Sequence, residues 1–267
     1  MKKLDRILIL ALLFLSPSTY AGAVMDMVIM DAAGQETGRS KIYAQSNMIR
    51  MDIDESGQRD GSMIFLGDKL LYLDHSDKSY IVIDEAMLDN VSAKINEAMA
   101  EMEKQLAGMP PEQRAMVEQM MKGQMQGMMP EQSAPRPALR VESMGSGEWR
   151  AYDCEKYAVF ESGEKTQEVC AADLDGIDGA DEVMRAFRSM AEYIVKMAES
   201  MPMMDNEGLN PGELMDQING FPVHAIDYES GKVVGQSSLE SLTEKDLEPG
   251  LFAAPDGYRR QDPFAGR

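Results

Sequence analysis

Apolar residues recur at every second position in short runs between residues 24 and 84, and turn residues separate the runs. Met25, Met27 and Ile29, for example, all fall on one side of an extended chain. A period of two predicts β-strands that each bury one face. Turn pairs such as Gly67-Asp68 are typical of tight hairpins, so this region predicts an antiparallel meander.

The apolar period lengthens to about three and a half residues after Asp84, which predicts a helix with one apolar face from Leu88 to Leu106. Gly108-Met109-Pro110-Pro111 ends this helix and begins a second one. The apolar face of the second helix carries Met116, Val117, Met120, Met121, Met125 and Met128. The pattern therefore predicts a Met-rich helical insertion at about residues 85–129.

The β pattern resumes at residues 138–143 and continues to residue 171, and a further apolar helical face follows at 184–201. Residues 221–239 then predict a last hairpin. Strands on both sides of the helical insertion, without βαβ alternation, predict an α+β protein with one antiparallel sheet covered by helices. We expect residues 22–267 to form this single domain.

The N-terminus has the pattern of a Sec-type signal peptide. Lys2, Lys3 and Arg6 precede an apolar run from Ile7 to Leu15, which is too short to span a bilayer. We expect residues 1–21 to be removed, with cleavage after residue 21 or 23. The cleavage region has no cysteine to accept a lipid anchor. The mature protein is therefore expected to be soluble in the periplasm and not to be an integral membrane protein.

Cys154 and Cys170 are the two cysteines of the chain. They lie in two strand-like runs, residues 149–160 and 165–171, on either side of a turn that contains glycine. Folding the runs about that turn places the cysteines nearly opposite each other, and in an exported chain such a pair predicts a disulfide. The C-x-x-C spacing typical of a redox-active dithiol is missing, so a structural bridge is favoured.

Several functional classes lack support in the sequence. A net charge of -20 leaves little basic surface for a phosphate backbone, so nucleic acid is not expected as a partner. Nucleophile elbows, P-loops and H-E-x-x-H motifs are absent. His75 falls in a predicted turn and His224 in a predicted strand, and each is better interpreted as a surface or hydrogen-bonded histidine than as a member of a triad or a zinc site. We therefore expect neither an enzyme nor a cofactor.

Two acidic turns partly match a calcium-binding loop. One begins at Asp52 and the other at Asp173. At the position that should supply a bidentate glutamate, the first has Met63 and the second has Met184. A plain turn and a helix cap explain these residues better than a metal site does.

Three segments carry a resemblance to a known family. They are the opening meander Val24–Ile83, with Gly67–Asp74 followed by Lys78-Ser79-Tyr80, then Tyr152–Tyr157 with its central cysteine, and the C-terminal stretch Leu251–Tyr258. Together they resemble an uncharacterised family of exported bacterial proteins related to the LolA-like superfamily of periplasmic lipoprotein carriers. The resemblance implies a strongly curved antiparallel half-barrel whose helices close its concave face over an apolar cavity, which shelters acyl chains in the relatives. The Met-rich insertion and the disulfide hairpin depart from the carrier itself.

The resulting functional hypothesis is non-catalytic binding of a lipid or other apolar ligand in a cavity between the sheet and the helices. The residues expected to line or cover that cavity are Met99, Met102, Leu106, Met116, Met120, Phe187, Met190 and Ile194. Methionine packs adaptably, so the same stripes are also compatible with plain core packing or with a surface for a partner protein or unfolded chain. A third hypothesis is Cu(I) binding by two methionine clusters: Met120, Met121, Met125, Met128 and Met129, and Met197, Met201, Met203 and Met204.

Overall fold

The computed structural model describes residues 22–55, 58–108, 110, 139–199 and 211–262. The predicted signal peptide and most of the second predicted helix, including Met116 and Met120, lie outside these residues. The same holds for all the methionines of the two proposed copper clusters except Met197.

The described residues form twelve strands. Their bounds are β1 Gly22–Asp31, β2 Glu36–Gln45, β3 Met48–Glu55, β4 Gln58–Phe65, β5 Leu70–Asp74, β6 Ser79–Ile83, β7 Arg140–Trp149, β8 Tyr152–Glu161, β9 Glu164–Ala172, β10 Phe221–Glu229, β11 Lys232–Lys245 and β12 Arg259–Arg260. The predicted meander corresponds to β1–β6, and the predicted last hairpin corresponds to β10 and β11. Both predictions are confirmed.

All twelve strands belong to one sheet, in the order β12-β6-β5-β4-β3-β2-β1-β11-β10-β9-β8-β7. Two meanders, β1–β6 and β7–β11, meet where β1 pairs with β11. Every pairing is antiparallel except that of the two-residue strand β12 with β6. The sheet ends at β12 on one side and at β7 on the other.

Three α-helices are described: α1 Glu85–Ala107, α2 Ala180–Glu199 and α3 Pro211–Gln217. Helix α1 begins at an N-cap, where the Asp84 carboxylate accepts a hydrogen bond from the backbone N–H of Met87. No helix in the described part of the chain is long and apolar enough to cross a membrane.

The half-barrel with helices covering a concave face is contradicted by this architecture. The protein has a single twelve-stranded sheet with few helices, and α2 is the described helix that packs across β1, β2 and β3. Helix α1 contacts the sheet at β6, and beyond Leu88 its residues are half-buried or exposed. The prediction was wrong because an apolar stripe shows that a helix needs a partner but not which surface supplies it.

The core is divided between the two faces of the sheet. On the face covered by α2, called here the α2 face, Val183 and Ala186 of the helix pack against residues such as Ile42 and Phe65. On the opposite face, the C-terminal segment with Phe252 covers β3–β6. A further cluster forms around β8–β10, where residues of α3 and its C-terminal end pack.

Candidate functional site

A row of directly paired apolar residues crosses seven strands on the α2 face. In order it consists of Leu242, Met25, Ile42, Met51, Met63, Tyr72 and Ile81. The first three are buried, but Met51, Met63 and Ile81 are half-buried and Tyr72 is 54% exposed. We call Met51, Met63, Tyr72 and Ile81 the open apolar row.

The row is open because α2 covers its neighbouring row instead. Two positions further along their strands, Phe65 and Ile83 lie in that neighbouring row. The Tyr193 ring of α2 lies 5.4 Å from the Phe65 ring, and its hydroxyl donates a 3.0 Å hydrogen bond to the carbonyl of Ile83. Phe65 is fully buried as a result, whereas Tyr72 is not.

The open apolar row has the dimensions and chemistry of a shallow binding surface. It spans β3–β6, and three strand spacings correspond to about 14 Å. Beside Met51 on β3, Ile53 is 44% exposed and extends the apolar area. Because thioether side chains are flexible and polarizable, Met51 and Met63 can adapt to an apolar chain laid across the strands.

A carboxylate lies at the rim of this surface. Asp74 ends β5 two residues after Tyr72 and therefore belongs to the same face. The Ser76 hydroxyl donates a 2.6 Å hydrogen bond to it, and the backbone N–H groups of Ser76 and Asp77 also donate. The Ser76 hydroxyl is the main cause of a pKa below the usual range for the Asp74 carboxyl, so the rim is negatively charged.

The opposite face holds a buried polar network around the ion pair of Arg50 and Asp52. The Arg50 Nε donates to Asp52 Oδ1 over 2.7 Å, and both residues are buried. Ser62 Oγ lies 2.5 Å from the same carboxylate oxygen and 2.7 Å from His75 Nε2. His75 Nδ1 in turn lies 2.6 Å from the Tyr258 hydroxyl.

The direction of each hydrogen bond in this network follows from its chemistry. The Asp52 carboxylate only accepts, so Ser62 uses its single hydroxyl proton as donor to Asp52. His75 Nε2 must then carry a proton and donate to Ser62 Oγ, and for neutral His75 the Tyr258 hydroxyl donates to Nδ1. Histidine therefore does not activate Ser62 as a nucleophile, and Ser62 is 2% exposed.

The network ties the C-terminal segment to the sheet. Arg50 Nη1 donates a 2.9 Å hydrogen bond to the carbonyl of Leu251, and Tyr258 contacts His75 in the turn after β5. Between these two anchors, Phe252 is buried against the sheet. The arrangement accounts for Asp52, one of the two partial calcium patterns, as part of a structural ion pair.

The predicted disulfide is confirmed. Cys154 and Cys170 are bonded, with their Cα atoms 5.5 Å apart, and both are buried. Cys154 pairs directly with Ala172, so the bridge runs diagonally between β8 and β9. It contributes to the same core as Trp149, the only tryptophan of the chain.

His224 stacks on Trp149 close to the disulfide. The ring centroids lie 3.5 Å apart with an interplanar angle of 2°, and His224 pairs with Cys170 across β9 and β10. His224 Nδ1 lies 3.0 Å from the carbonyl of Ser237. Burial is the main cause of a lowered His224 pKa, which favours the neutral ring.

Two surface cavities have polar linings. One, of about 440 Å³, lies between the start of α1 and the β6–β12 edge and is lined by residues including Asp84, Lys94 and Arg260. The other, of about 500 Å³, lies beside the disulfide and is lined by residues including Asp153 and Asp173.

Within the described ranges, no group of three or more His, Cys, Asp or Glu residues is placed to hold a metal. Asp173, the second partial calcium pattern, caps a short 3-10 helix.

The predicted lining residues fall into separate environments. On α2, Met190 is buried and Phe187 and Ile194 are partly buried, all within the core between helix and sheet. On α1, Met99 is 46% exposed and Met102 and Leu106 are half-buried. None of these α1 residues belongs to the described core cluster that contains Met190. Met116 and Met120 lie outside the described residues.

The residues of the open apolar row were missed, although the sequence contains a signal for part of it. A two-residue turn at Gly67-Asp68 pairs residues that are equally distant from it, and Met63 and Tyr72 satisfy this condition. The predicted lining residues were chosen from the apolar faces of the predicted helices, and those described lie on α1 and α2.

The structure thus defines a predominantly antiparallel β protein built on one wide sheet. The chain matches no family model and no curated protein sequence. Among solved structures it is similar to an uncharacterized conserved protein from Thermus thermophilus, with 7% identity, a TM-score of 0.46 and 91% of each chain covered. It is also similar to PNGF-II, with 8% identity, a TM-score of 0.39, and 91% of this chain but 31% of that chain covered. The chain therefore spans less than a third of PNGF-II, and we transfer no function from either structure.

Proposed function

We propose that this protein is a non-catalytic, periplasmic binder of an apolar ligand, and that an acyl chain of a lipid lies across the open apolar row. The observation that supports the proposal is the continuity of this row with the buried core. The buried residues Met25 and Ile42 are directly paired, and Ile42 pairs in turn with Met51 of the row, yet Tyr72 in the same row is 54% exposed. Contiguous apolar surface of this kind is typical of a binding surface.

The apolar area is sufficient for a useful gain on binding. Fully burying a large apolar side chain contributes about 1.5–3 kcal/mol. Tyr72 and Ile53 each leave roughly half of that surface in water, so covering each contributes about 1 kcal/mol. The half-buried Met51, Met63 and Ile81 add smaller amounts.

The charge at the rim indicates which head group the ligand carries. The ionised Asp74 faces the same side as Tyr72, and the whole chain has a net charge of -20. Both repel a carboxylate or phosphate head group. The ligand that fits best is therefore a lipid of medium chain length with an uncharged or cationic head.

The polar network supports the non-catalytic part of the proposal. Ser62 donates its proton to Asp52, and His75 donates to Ser62. This order stabilises the fold and does not activate the Ser62 hydroxyl as a nucleophile. The disulfide between Cys154 and Cys170 supports export, because such bonds persist in oxidising compartments.

Binding of the uncharged fluorescent probe N-phenyl-1-naphthylamine tests the proposal. We expect Tyr72→Asp to weaken probe binding about tenfold, because it places a charge within the apolar surface. Val234→Asp is the matched control, since Val234 is 49% exposed on β11, outside the row. Thermal unfolding of both variants checks that each is folded. Equal probe binding by Tyr72→Asp and the unsubstituted protein would overturn the proposal.

Competition experiments identify the ligand class. A medium-chain monoacylglycerol should displace the probe more strongly than the fatty acid of equal length, because Asp74 repels the carboxylate. Native mass spectrometry of protein purified from the periplasm should show a lipid bound in unit stoichiometry. Displacement by an extended apolar peptide but not by monoacylglycerol would replace the lipid proposal with a surface for partner proteins.

A further inference from the structure

The open apolar row contains two methionines that face each other. Met51 on β3 and Met63 on β4 are directly paired, and residues opposite each other in an antiparallel pair have Cβ atoms about 4.5–5.5 Å apart. Both are half-buried and lie at the border of the core. Met25, two strands away in the same row, is 5% exposed.

We propose that Met51 and Met63 form an oxidation-sensitive switch that controls ligand binding at the open apolar row. The inference rests on the proposed function of that row. Within the row and the core beneath α2, this pair is the modification site because Met51 and Met63 are half-buried, whereas Met25, Met184 and Met190 are buried. Met99 and Met144 are more exposed, but they lie on α1 and β7, outside the row. Met51 and Met63 also supply two of the four side chains of the row, so a change in their polarity acts directly on a ligand that lies across it.

The chemistry requires a two-electron oxidant, and hydrogen peroxide is the one we name. The thioether sulfur attacks one peroxide oxygen and the O–O bond breaks. That oxygen becomes the sulfoxide oxygen, and the other leaves as water with both protons of the peroxide. Sulfur is oxidised by two electrons and peroxide is reduced by two. Two methionine sulfoxide reductases, one for each sulfoxide epimer, reverse the modification: a dithiol supplies two electrons and two protons, and the sulfoxide oxygen leaves as water.

Oxidation changes the surface without removing a core residue. A sulfoxide is polar and chiral, so two of them on facing strands place strong dipoles beneath an acyl chain. Covering them with the ligand buries acceptors that lack donors. We expect binding to weaken about tenfold while the fold persists, because Met25 and the core beneath α2 stay unmodified.

The experiment compares probe binding before and after mild peroxide treatment of the full mature protein. In the unsubstituted protein we expect sulfoxide at Met51 and Met63 in peptide mass spectra, about tenfold weaker binding of N-phenyl-1-naphthylamine, and recovery when the reductases for both epimers are added with a dithiol. The double variant Met51→Leu/Met63→Leu conserves volume and should retain binding after treatment. Met144→Leu is the matched control, because Met144 is 54% exposed on β7 and its replacement should give no protection.

The outcomes separate the two proposals. If Tyr72→Asp leaves probe binding unchanged, the proposed function fails and the switch fails with it. If Tyr72→Asp weakens binding but peroxide weakens it equally in the Met51→Leu/Met63→Leu variant, only the switch is overturned. Sulfoxide at Met25 at the same rate as at Met51 would show that unfolding causes the loss, and would also overturn the switch.

Discussion

Ser62 Oγ accepts a 2.7 Å hydrogen bond from His75 Nε2 and donates a 2.5 Å hydrogen bond to Asp52 Oδ1. A serine next to a histidine suggests nucleophilic chemistry, but this proton order is the reverse of the one that activates a hydroxyl. The Arg50 guanidinium fixes the order, because it holds Asp52 as an acceptor. The cluster is therefore a clamp between strands and the C-terminal segment.

Replacing Ser62 with alanine should destabilise the protein by about 1–3 kcal/mol, because the buried Asp52 carboxylate and the half-buried His75 each lose a hydrogen bond. Ser238→Ala is the matched control: Ser238 is fully buried, and its hydroxyl has no hydrogen-bond partner in the described residues. We expect a change near zero for Ser238→Ala. Urea unfolding measures both, and equal effects would show that the hydrogen bonds of Ser62 do not stabilise the clamp.

Tyr258→Phe should loosen the C-terminal segment locally. The variant removes the hydroxyl that contacts His75 Nδ1 but retains the ring, so we expect a loss of about 1 kcal/mol. Strand β12 is held by the amide of Arg259 on the carbonyl of Lys78 and by the amide of Gln261 on that of Tyr80. Hydrogen exchange at these two amides should become faster. Amides of β1 and β2 serve as the internal reference, and their equal acceleration would contradict a local clamp.

His224 should make the protein less stable in acid. Its folded-state pKa lies below the usual value, mainly through burial, so the unfolded chain binds the proton more readily. The stabilising contribution of neutral His224 is therefore fully present above about pH 6.5. It decreases as the pH falls through the pKa of His224 in the unfolded chain and then through its lower pKa in the folded protein. His224→Phe retains a ring against Trp149 and removes the titration. Urea melts at pH 7 and pH 5, followed by Trp149 fluorescence, should show a smaller pH effect in the variant. If His224→Phe loses as much stability between pH 7 and pH 5 as the unsubstituted protein, other titrating groups cause the loss.

Local patterns in the sequence were sufficient to predict most of the strands, although not the two-residue β12 or the second half of β7. The alternation at Met25, Met27 and Ile29 predicts β1, and the Gly67-Asp68 turn sets the pairing of β4 with β5. Both signals depend on neighbouring residues, which a single sequence displays. They also contain the Met63–Tyr72 half of the candidate site.

The pairing of β1 with β11 and the packing of the helices were not predictable in the same way. Gly22 pairs with Lys245, so this contact joins the first described strand to one near the C-terminal end of the chain, and no local pattern specifies it. The apolar period of residues 88–106 predicted helix α1 correctly. Met99 on this helix is nevertheless 46% exposed, and the helix that packs across β1, β2 and β3 is α2. Amphipathicity gives a helix an apolar face but not its position, and the half-barrel prediction failed on that point.

The disulfide should contribute strongly to stability because it closes a loop with a sequence separation of 16 residues. In the chain-entropy description, a loop of this size corresponds to about 3 kcal/mol of stabilisation, most of it through the unfolded state. We expect Cys154→Ala/Cys170→Ala to lower the free energy of unfolding by about that amount, with guanidinium unfolding as the measurement. Both sulfurs belong to buried residues, so a reductant should not act on the folded protein. Rapid reduction under native conditions would show instead that the β8–β9 region opens readily.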